Sequence, residues 1–555
     1  MPTNGRDALL EVLRTEGVRH IFGNPGSTEL PLMDALADAG DLRYVLALQE
    51  ATAIGMADGY AQATGRPAFV NLHTSAGVGN AIGNLTNAQA NGTPLVVTAG
   101  QQHYGHIEAD PLLSGDLVGL ARPVSKWAHE VRTLRELGTV VRRAFHDAAA
   151  PPAGPVFVSL PMSTLDEEGD APVPAASAVD HRSVAGSLDP LADLLTATPV
   201  GRLAIVVGDE VATSDALDQV EALAEALGAP VLGAPLYGRS VFRPEHPLWA
   251  GMLPMAASGI RAALAPFQRV LFIGGKAFMV YPFSDGSPLP DGVELLHLSP
   301  DPAQLARTYA TAWAASGDPG RTLAALLAGP LPSRLAPIAA DAARALATRT
   351  AARAREIEAL DQAALSRYDA SPIEPMAGAH AVVRALPDDT IVVDEAITTG
   401  GYVRGFHRFT QPGRYYFCRG GGLGWGMPAS LGVSLAHGGS APVLCAVGDG
   451  SAMYSPQALW TAAHERLPVV FTVFNNRQYL ILKNNLRLMK GATVRTGTFV
   501  AMDIVDPPVD YVGLATSLGV AATRVDHSAD IGDVVRAAFA SGRPHLIEIP
   551  ISAPA

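Results

Sequence analysis

Between Val443 and Asn476 the chain reads VLCAVGDGSAMYSPQALWTAAHERLPVVFTVFNN. Both apolar runs, VLCAV and VVFTVF, are continuous, as strands of a parallel sheet covered on both faces should be. The segment between them is long enough for a crossover helix, so the stretch forms one βαβ unit. Its two strands end at the same sheet edge, which puts Asp449 and Asn476 side by side where open α/β sheets hold ligands. A carboxylate and an amide carbonyl are hard oxygen ligands suited to Mg²⁺, which takes its other positions from water and phosphate. The pair therefore points to a metal-held phosphate or diphosphate. As single motifs, GDG and NN are ordinary turn signals; their placement at matching strand ends gives them weight.

The chain has 555 residues, too many for one core, so about three domains are expected. With 48% hydrophobic and 17% charged residues, a large core is available. A net charge of −13 without a basic block argues against nucleic acid. The only cysteines, Cys418 and Cys445, sit in apolar or aromatic runs and read as buried thiols. No basic-then-apolar leader and no membrane-length apolar run is found, so a cytoplasmic enzyme is expected.

From Asp7 to Pro161, helical patterns alternate with the strand-like runs YVLAL, AFVNL, LVVTAG and VFVSL. Residues 162 to about 188 are rich in Pro, Ala, Ser and acid and read as a linker. A second alternating region carries LAIVVGD, VLFIGG and ELLHLSPD and ends near residue 330. The Ala/Arg-rich stretch 340–366 reads as a solvated connecting helix. A third region, from about Pro372, carries TIVVDEA, the quoted unit and HLIEIPI. The expectation is an α/β chain of three doubly wound parallel-sheet domains, at 1–170, 189–330 and 355–555.

Other positions bear on chemistry. Glu50 opens a helix after YVLALQ, where the helix dipole favours a carboxylate. His73 follows the strand AFVNL, at a place where histidines more often serve structure than catalysis. Gly77, Gly79 and Gly83 imitate a dinucleotide fingerprint, but the spacing is GxGxxxG and no suitably placed acid follows. Close packing of a helix explains these glycines better.

GDG followed by NN at this spacing resembles the diphosphate-anchoring motif of thiamine diphosphate enzymes. Within that superfamily, the runs FGNPGSTELP, LALQEA, DGYAQATGRPAFVNLH, VTAGQQ, PLL, YYFC and GGLG resemble the benzoylformate decarboxylases most closely. The resemblance spans nearly the whole chain and implies a pyrimidine-binding, a middle and a diphosphate-binding domain. It implies thiamine diphosphate and Mg²⁺ as cofactors, and decarboxylation of a 2-oxo acid to an aldehyde, with carboligase activity. Glu50 would hydrogen-bond the aminopyrimidine ring. Asp449, Asn476 and the Gln478 carbonyl would hold the metal, with Gly450 and Ser451 beside the diphosphate. Leu423 would support the bent cofactor, and the Gly421 carbonyl would accept a bond from its exocyclic amine. Ser27 would meet the substrate carboxylate, and His73 would move protons. A homodimer or homotetramer is implied, since in this family the acid and the metal site face each other from different subunits.

The sequence also departs from that pattern. Where benzoylformate decarboxylases carry a second histidine on the middle domain, the segment IGGKAFMVYPF places Tyr281. A tyrosine titrates far from neutrality, so slower protonation would favour carboligation. His103 and His106 are candidate substitutes, read more simply as loop histidines. Arg419, Lys276, Asn484 and Asn485 stand where the family has small or apolar residues, and Ile397 and Ile481 alter the pocket's shape. A guanidinium favours a carboxylate or phosphate, so phenylglyoxylate is a less secure expectation than 2-oxo acids as a class. Leu112 and Leu113 occupy the positions of paired histidines in pyruvate decarboxylase-like members. NNRQYLILK is also similar to acetolactate synthase-like proteins, which often bind FAD, and a catalytically weakened cofactor-binding paralogue is a further alternative.

Overall fold

The computed structural model describes residues 4–553. Three parallel sheets flanked by helices form the framework. In the first, β1 (His20–Gly23), β2 (Arg43–Leu46), β3 (Ala68–Leu72), β4 (Leu95–Gln101), β5 (Ala128–Glu130) and β6 (Val156–Pro161) lie in the order β2-β1-β3-β4-β6-β5. Every residue of β3, β4 and β6 is buried, as expected for strands covered by helices on both sides. The core beneath them joins Leu9, Leu13, Ile21, Phe69, Val96, Val141, Phe145 and Val158.

The second sheet contains β7 (Leu203–Val207), β8 (Val231–Gly233), β9 (Trp249–Met252), β10 (Arg269–Ile273), β11 (Glu294–Ser299) and β12 (Trp313–Ser316), in the order β12-β11-β10-β7-β8-β9. Two apolar clusters cover its faces, one around Ile205, Val220, Leu223 and Leu271, the other around Val206, Ile260, Leu264 and Phe272. The third includes β13 (Ile391–Glu395), β15 (Val443–Gly448), β16 (Val469–Asn475), β17 (Ala521–Arg524) and β18 (His545–Pro550), with β13, β15, β16, β18 and β17 following in that order. The short strand β14 (Tyr415–Phe417) falls in the same compact unit as Gly238, to whose carbonyl the Phe417 amide donates at 2.9 Å.

The three sheets group into two compact units. One combines the segment up to Val179 with Arg367–Arg404 and the chain from Cys418; the other comprises Asp180–Ser366 and Gly405–Phe417. The first and third sheets share a unit because two small-residue helices, Glu50–Thr64 and Gly426–Ala436, pack backbone against backbone. A Cβ on Gly59 would lie 2.1 Å from the Ala429 carbonyl oxygen, and one on Gly432 would lie 1.9 Å from that of Met56. Only glycine allows this approach. At the same interface the Trp425 Nε1–H donates to buried Asp58 at 2.7 Å.

The stretch read as a linker from residue 162 begins with a short helix, Met162–Asp166, and is irregular only beyond it. The helix forms where Thr164 and Leu165 are buried, an opportunity for packing that composition does not reveal. The connecting helix runs Ala339–Leu365, with Ala342 and Ala364 its buried residues. Cys418 and Cys445 are buried free thiols, and burial raises both above the usual thiol range. No helix is long and apolar enough to cross a membrane among the described residues.

Candidate active site

Two sheet edges carry the chemistry-bearing residues. At the carboxyl edge of the first sheet, Gly23 pairs with Leu46 on one side and Asn71 on the other, so the chain segments leaving β1, β2 and β3 emerge together. Ser27 begins a single 3₁₀ turn after β1 and is exposed. Glu50 opens the helix after β2, whose N-cap is Gln49 and whose end is Gly65 in the left-handed conformation. Its carboxylate is buried and accepts from Asn80 Nδ2 at 3.0 Å and Asn24 Nδ2 at 3.4 Å.

His73 is the N-cap residue of the helix Thr74–Asn91. Its Nδ1 lies 2.9 Å from Glu29 Oε2 and 3.1 Å from Thr28 Oγ1. Glu29 is fully enclosed; it also accepts from the Gly26 amide at 2.9 Å, the Gly100 amide at 2.8 Å and the Thr28 hydroxyl at 2.7 Å. A carboxylate at Nδ1 selects the Nδ1–H tautomer and leaves Nε2 as the exchangeable site. The ring fits because residue 26 is glycine: a Cβ there would come within 2.2 Å of His73 Cγ and Nδ1.

Glu29, Thr28, Asn24 and Asn80 were not among the residues singled out by motif. For Glu29 the usable signal is its place three residues after Gly26, where its side chain returns to the Gly26 amide as in a capping box. The glycine run 77–83 lies wholly inside the helix Thr74–Asn91. Close packing explains only Gly77, whose Cβ would lie 3.2 Å from Glu50 Oε1; Gly79 and Gly83 face open space, contrary to expectation.

The second edge belongs to the third sheet. β15 and β16 run in parallel register, Gly448 opposite Phe474, which brings Asp449 and Asn476 to adjacent strand ends. Asp449 begins a short helical turn and is buried. Its Oδ2 has no hydrogen-bond partner, and burial pushes its carboxyl up to about 6 against the opposing backbone N–H groups of Gly450, Arg477 and Gln478. The two asparagines diverge: Asn475 Nδ2 turns into the core to Glu548 Oε1 at 2.8 Å, while Asn476 Oδ1 accepts from the Gln478 amide at 3.0 Å. Strand alternation accounts for this division. Gly450 is required by Tyr479, whose Cε1 would lie 2.6 Å from an added Cβ, and Ser451 is buried beside it.

Between these edges in sequence, Gly420–Gly426 forms a glycine-rich loop with Gly421 and Gly424 at positive φ. Gly421 is exposed and Leu423 half-buried. The loop abuts β13: Glu395 accepts from the amides of Gly424 at 2.8 Å, Trp425 at 3.2 Å and Gly426 at 2.8 Å, and burial raises its carboxyl to about 7. The Arg419 amide donates to Asn91 Oδ1 at 3.1 Å. Tyr281 lies in the other compact unit and is exposed. Lys276 is there too, lining a small crevice with His297, Arg307 and Tyr309. His103 and His106 stack on an exposed 3₁₀ segment, 6.3 Å between ring centres.

Three models of one family match in succession: the N-terminal domain of thiamine pyrophosphate enzymes over residues 3–119, the central domain over 190–326 and the C-terminal domain over 398–549. Benzoylformate decarboxylase from Pseudomonas aeruginosa is 35% identical over 98% of both chains. The chain belongs to the thiamine diphosphate-dependent enzyme family. A putative acetolactate synthase large subunit from Mycobacterium tuberculosis is 29% identical over 99% of each chain. Among solved structures, the thiamine diphosphate-dependent 4-hydroxybenzoylformate decarboxylase of Rhodococcus jostii superposes with a TM-score of 0.85 at 30% identity, covering 99% of both. The protein is thus an enzyme of the thiamine-dependent decarboxylase and acetolactate synthase type and binds thiamine diphosphate.

The third sheet fits a metal-bound diphosphate. A buried carboxylate oxygen without a partner, next to an amide oxygen and backbone N–H groups, is the donor set that Mg²⁺ and phosphate require.

Proposed function

We propose that this enzyme decarboxylates a benzoylformate-like 2-oxo acid to the aldehyde, with Mg²⁺ joining thiamine diphosphate to the protein. The observation that carries this reading is the Glu29–His73 pair on the same sheet edge as Glu50. Release of an aldehyde requires a proton at the carbon that has lost CO₂. Ligation of two oxo acids fills that position with a carbon–carbon bond instead. A histidine held in one tautomer by a buried carboxylate is suited to the proton delivery. The full-length identity to a benzoylformate decarboxylase supports the same substrate class.

Bound thiamine diphosphate supplies the electron sink for cleavage of the carboxyl carbon bond. The remaining work falls to this chain. Glu50, held by Asn80 and Asn24, would share a proton with the aminopyrimidine ring. Asp449, Asn476 and the Gln478 carbonyl would bind Mg²⁺, with Gly450 and Ser451 facing the diphosphate. Leu423 and the Gly421 carbonyl would orient the pyrimidine, and Ser27 would meet the substrate carboxylate. We place the domain limits at 1–170, 189–330 and 355–555 and propose a homodimer or homotetramer in the cytoplasm.

A second reading, acetolactate synthase-like ligation, is favoured by Tyr281 and by the 29% identical relative. Both are tested by mass-spectrometric product analysis of the purified enzyme with thiamine diphosphate, Mg²⁺, and benzoylformate or pyruvate. Benzaldehyde from benzoylformate is expected; acetolactate from pyruvate alone would transfer the assignment to the second reading. Tyr281→His should raise free aldehyde relative to ligated product by about twofold to tenfold if the tyrosine slows proton delivery. An unchanged ratio removes Tyr281 from the catalytic set.

A further inference from the structure

The loop Gly420–Gly426 is gripped from two directions. On one side the helix Thr74–Asn91 presents Asn87, fully buried, whose Nδ2 donates to the Gly422 carbonyl at 2.8 Å while its Oδ1 accepts from the Gly422 amide at 3.0 Å. One side-chain amide thus pairs with both backbone groups of one residue, as a neighbouring strand would. The glycines make room for it: a Cβ on Gly420 would lie 2.4 Å from Asn87 Oδ1, and one on Gly422 2.9 Å from it. On the other side the buried Glu395 carboxylate collects three consecutive N–H groups, from Gly424 to Gly426. Ser455 Oγ and Asn84 Nδ2 both donate to the Gly424 carbonyl, at 2.8 and 3.4 Å.

Asn80, Asn84, Asn87 and Asn91 share one face of their helix, since the spacings of four, three and four residues follow its turns. Asn80 grips the Glu50 carboxylate, Asn84 and Asn87 grip the loop, and Asn91 donates to Asp58 and accepts from the Arg419 amide. The two buried amides of this stripe, Asn84 and Asn87, are costly unless paired. Here the pairs run to the acid at one end and to the glycine loop at the other.

We infer that Asn87 and Glu395 are positioning residues: together they hold the Gly421 carbonyl and Leu423 in the conformation that receives the aminopyrimidine, while Asn80 fixes Glu50 from the same helix. This rests on the proposed role of Gly421 and Leu423. Neither Asn87 nor Glu395 needs to touch the cofactor. Their contribution is that the loop does not have to be ordered when the cofactor binds.

The test is calorimetric titration of thiamine diphosphate, with Mg²⁺, into the cofactor-free protein and its variants. Asn87→Asp replaces a donor by an acceptor facing the Gly422 carbonyl, and Glu395→Gln replaces an acceptor by a donor facing backbone N–H groups; both keep the volume. Each should weaken cofactor affinity about tenfold to a hundredfold, the range for losing hydrogen bonds to a buried or charged group. Asp58→Asn, on the Trp425 side of the same interface, should lower the melting temperature and leave affinity within about twofold. Leu423→Ala reads the underlying assignment. Weakening by Leu423→Ala with none from Asn87→Asp or Glu395→Gln overturns the inference alone; no weakening from any of the three overturns the role of the loop as well. Should Glu395→Gln fail to fold, Asn87→Asp and Ser455→Ala carry the test, Ser455→Ala being expected to weaken binding severalfold.

Discussion

The two sheet edges differ in how far the protein satisfies its own polar groups. On the first, Glu29 is enclosed and fully served by two amides, a hydroxyl and an imidazole, and Glu50 is held by two asparagines. On the third, Asp449 is buried just as deeply, yet one carboxylate oxygen has no partner. A saturated carboxylate fixes a geometry that exists before any ligand arrives. An orphaned one raises the energy of the free protein, and a cation can recover that cost. This contrast matches the roles proposed above, proton handling at the first edge and ligand capture at the third.

The largest effect should come from the first edge. Glu50→Gln retains size and much of the hydrogen bonding to Asn80 but removes the titratable proton. Turnover should fall about a hundredfold to ten-thousandfold, with the melting temperature close to that of the parent enzyme. Turnover near the parent value would deny Glu50 its role.

Asp449→Ala comes next and should separate the two edges most sharply. Removing the uncompensated carboxylate should leave the cofactor-free protein as stable as before or more so. The rise in melting temperature produced by thiamine diphosphate and Mg²⁺ should disappear. If that rise persists, the diphosphate is held elsewhere. The pH dependence follows from the same group. Its carboxyl is raised to about 6 in the folded chain, above the ordinary value near 4, so the folded state binds the proton more tightly than the unfolded one. This contribution to the stability of the free protein is complete below about pH 4 and is lost as pH rises through about 6. Metal capture needs the ionised form, so the stabilisation by Mg²⁺ should shrink as pH falls below about 6. A metal-dependent stabilisation that stays constant from pH 7 to about pH 5 would contradict this.

Glu29→Gln probes the saturated network. The amide can still accept one hydrogen bond but presents an NH₂ group to the remaining donors, and it no longer enforces the Nδ1–H tautomer of His73. Aldehyde formation should fall about tenfold to a hundredfold, the range for losing an orienting partner, while affinity for thiamine diphosphate is unchanged. Equal losses in both measurements would show that Glu29 serves the fold and not the histidine.

The third edge was more legible in the sequence than the first, for a physical reason. Asp449 and Asn476 lie directly after long apolar strands, and parallel topology alone brings such ends together. Their neighbourhood is a consequence of sheet register. Glu29 and Asn80 depend on contacts between segments 44 and 30 residues apart, to His73 and Glu50, and no local pattern encodes those. Gly421 and Leu423 could be found only by resemblance, since a glycine-rich loop has many uses. The run from Gly77 to Gly83 lies in a helix, as expected, but the close packing expected of all three glycines holds only at Gly77, because which face of a helix meets a neighbour is set by the tertiary fold. The three-domain pattern was readable from strand spacing. The grouping of the first and third sheets in one compact unit was not, because it is made by small residues such as Gly59 and Gly432, whose value appears only when two helices meet.

The smallest of these effects tests the close fit of the first edge. Gly26 has φ −133°, an extended conformation open to any residue, so Gly26→Ala introduces no backbone strain. The added methyl instead meets His73, within 2.2 Å of Cγ and Nδ1 and 2.5 Å of Cε1. The ring has to shift by an ångström or so, which stretches its bond to Glu29 while leaving the bonds from the Gly100 amide and Thr28 in place. A displacement of that size should reduce aldehyde formation by about tenfold, less than Glu29→Gln at its upper range. Because the added methyl meets His73 and not Asp449 or the glycine loop, cofactor affinity should not move. Parental turnover with the His73 ring nitrogen resonances unshifted would mean that the ring accommodates the methyl freely, and the proton-handling edge would then be no more rigid than the ligand-capturing one.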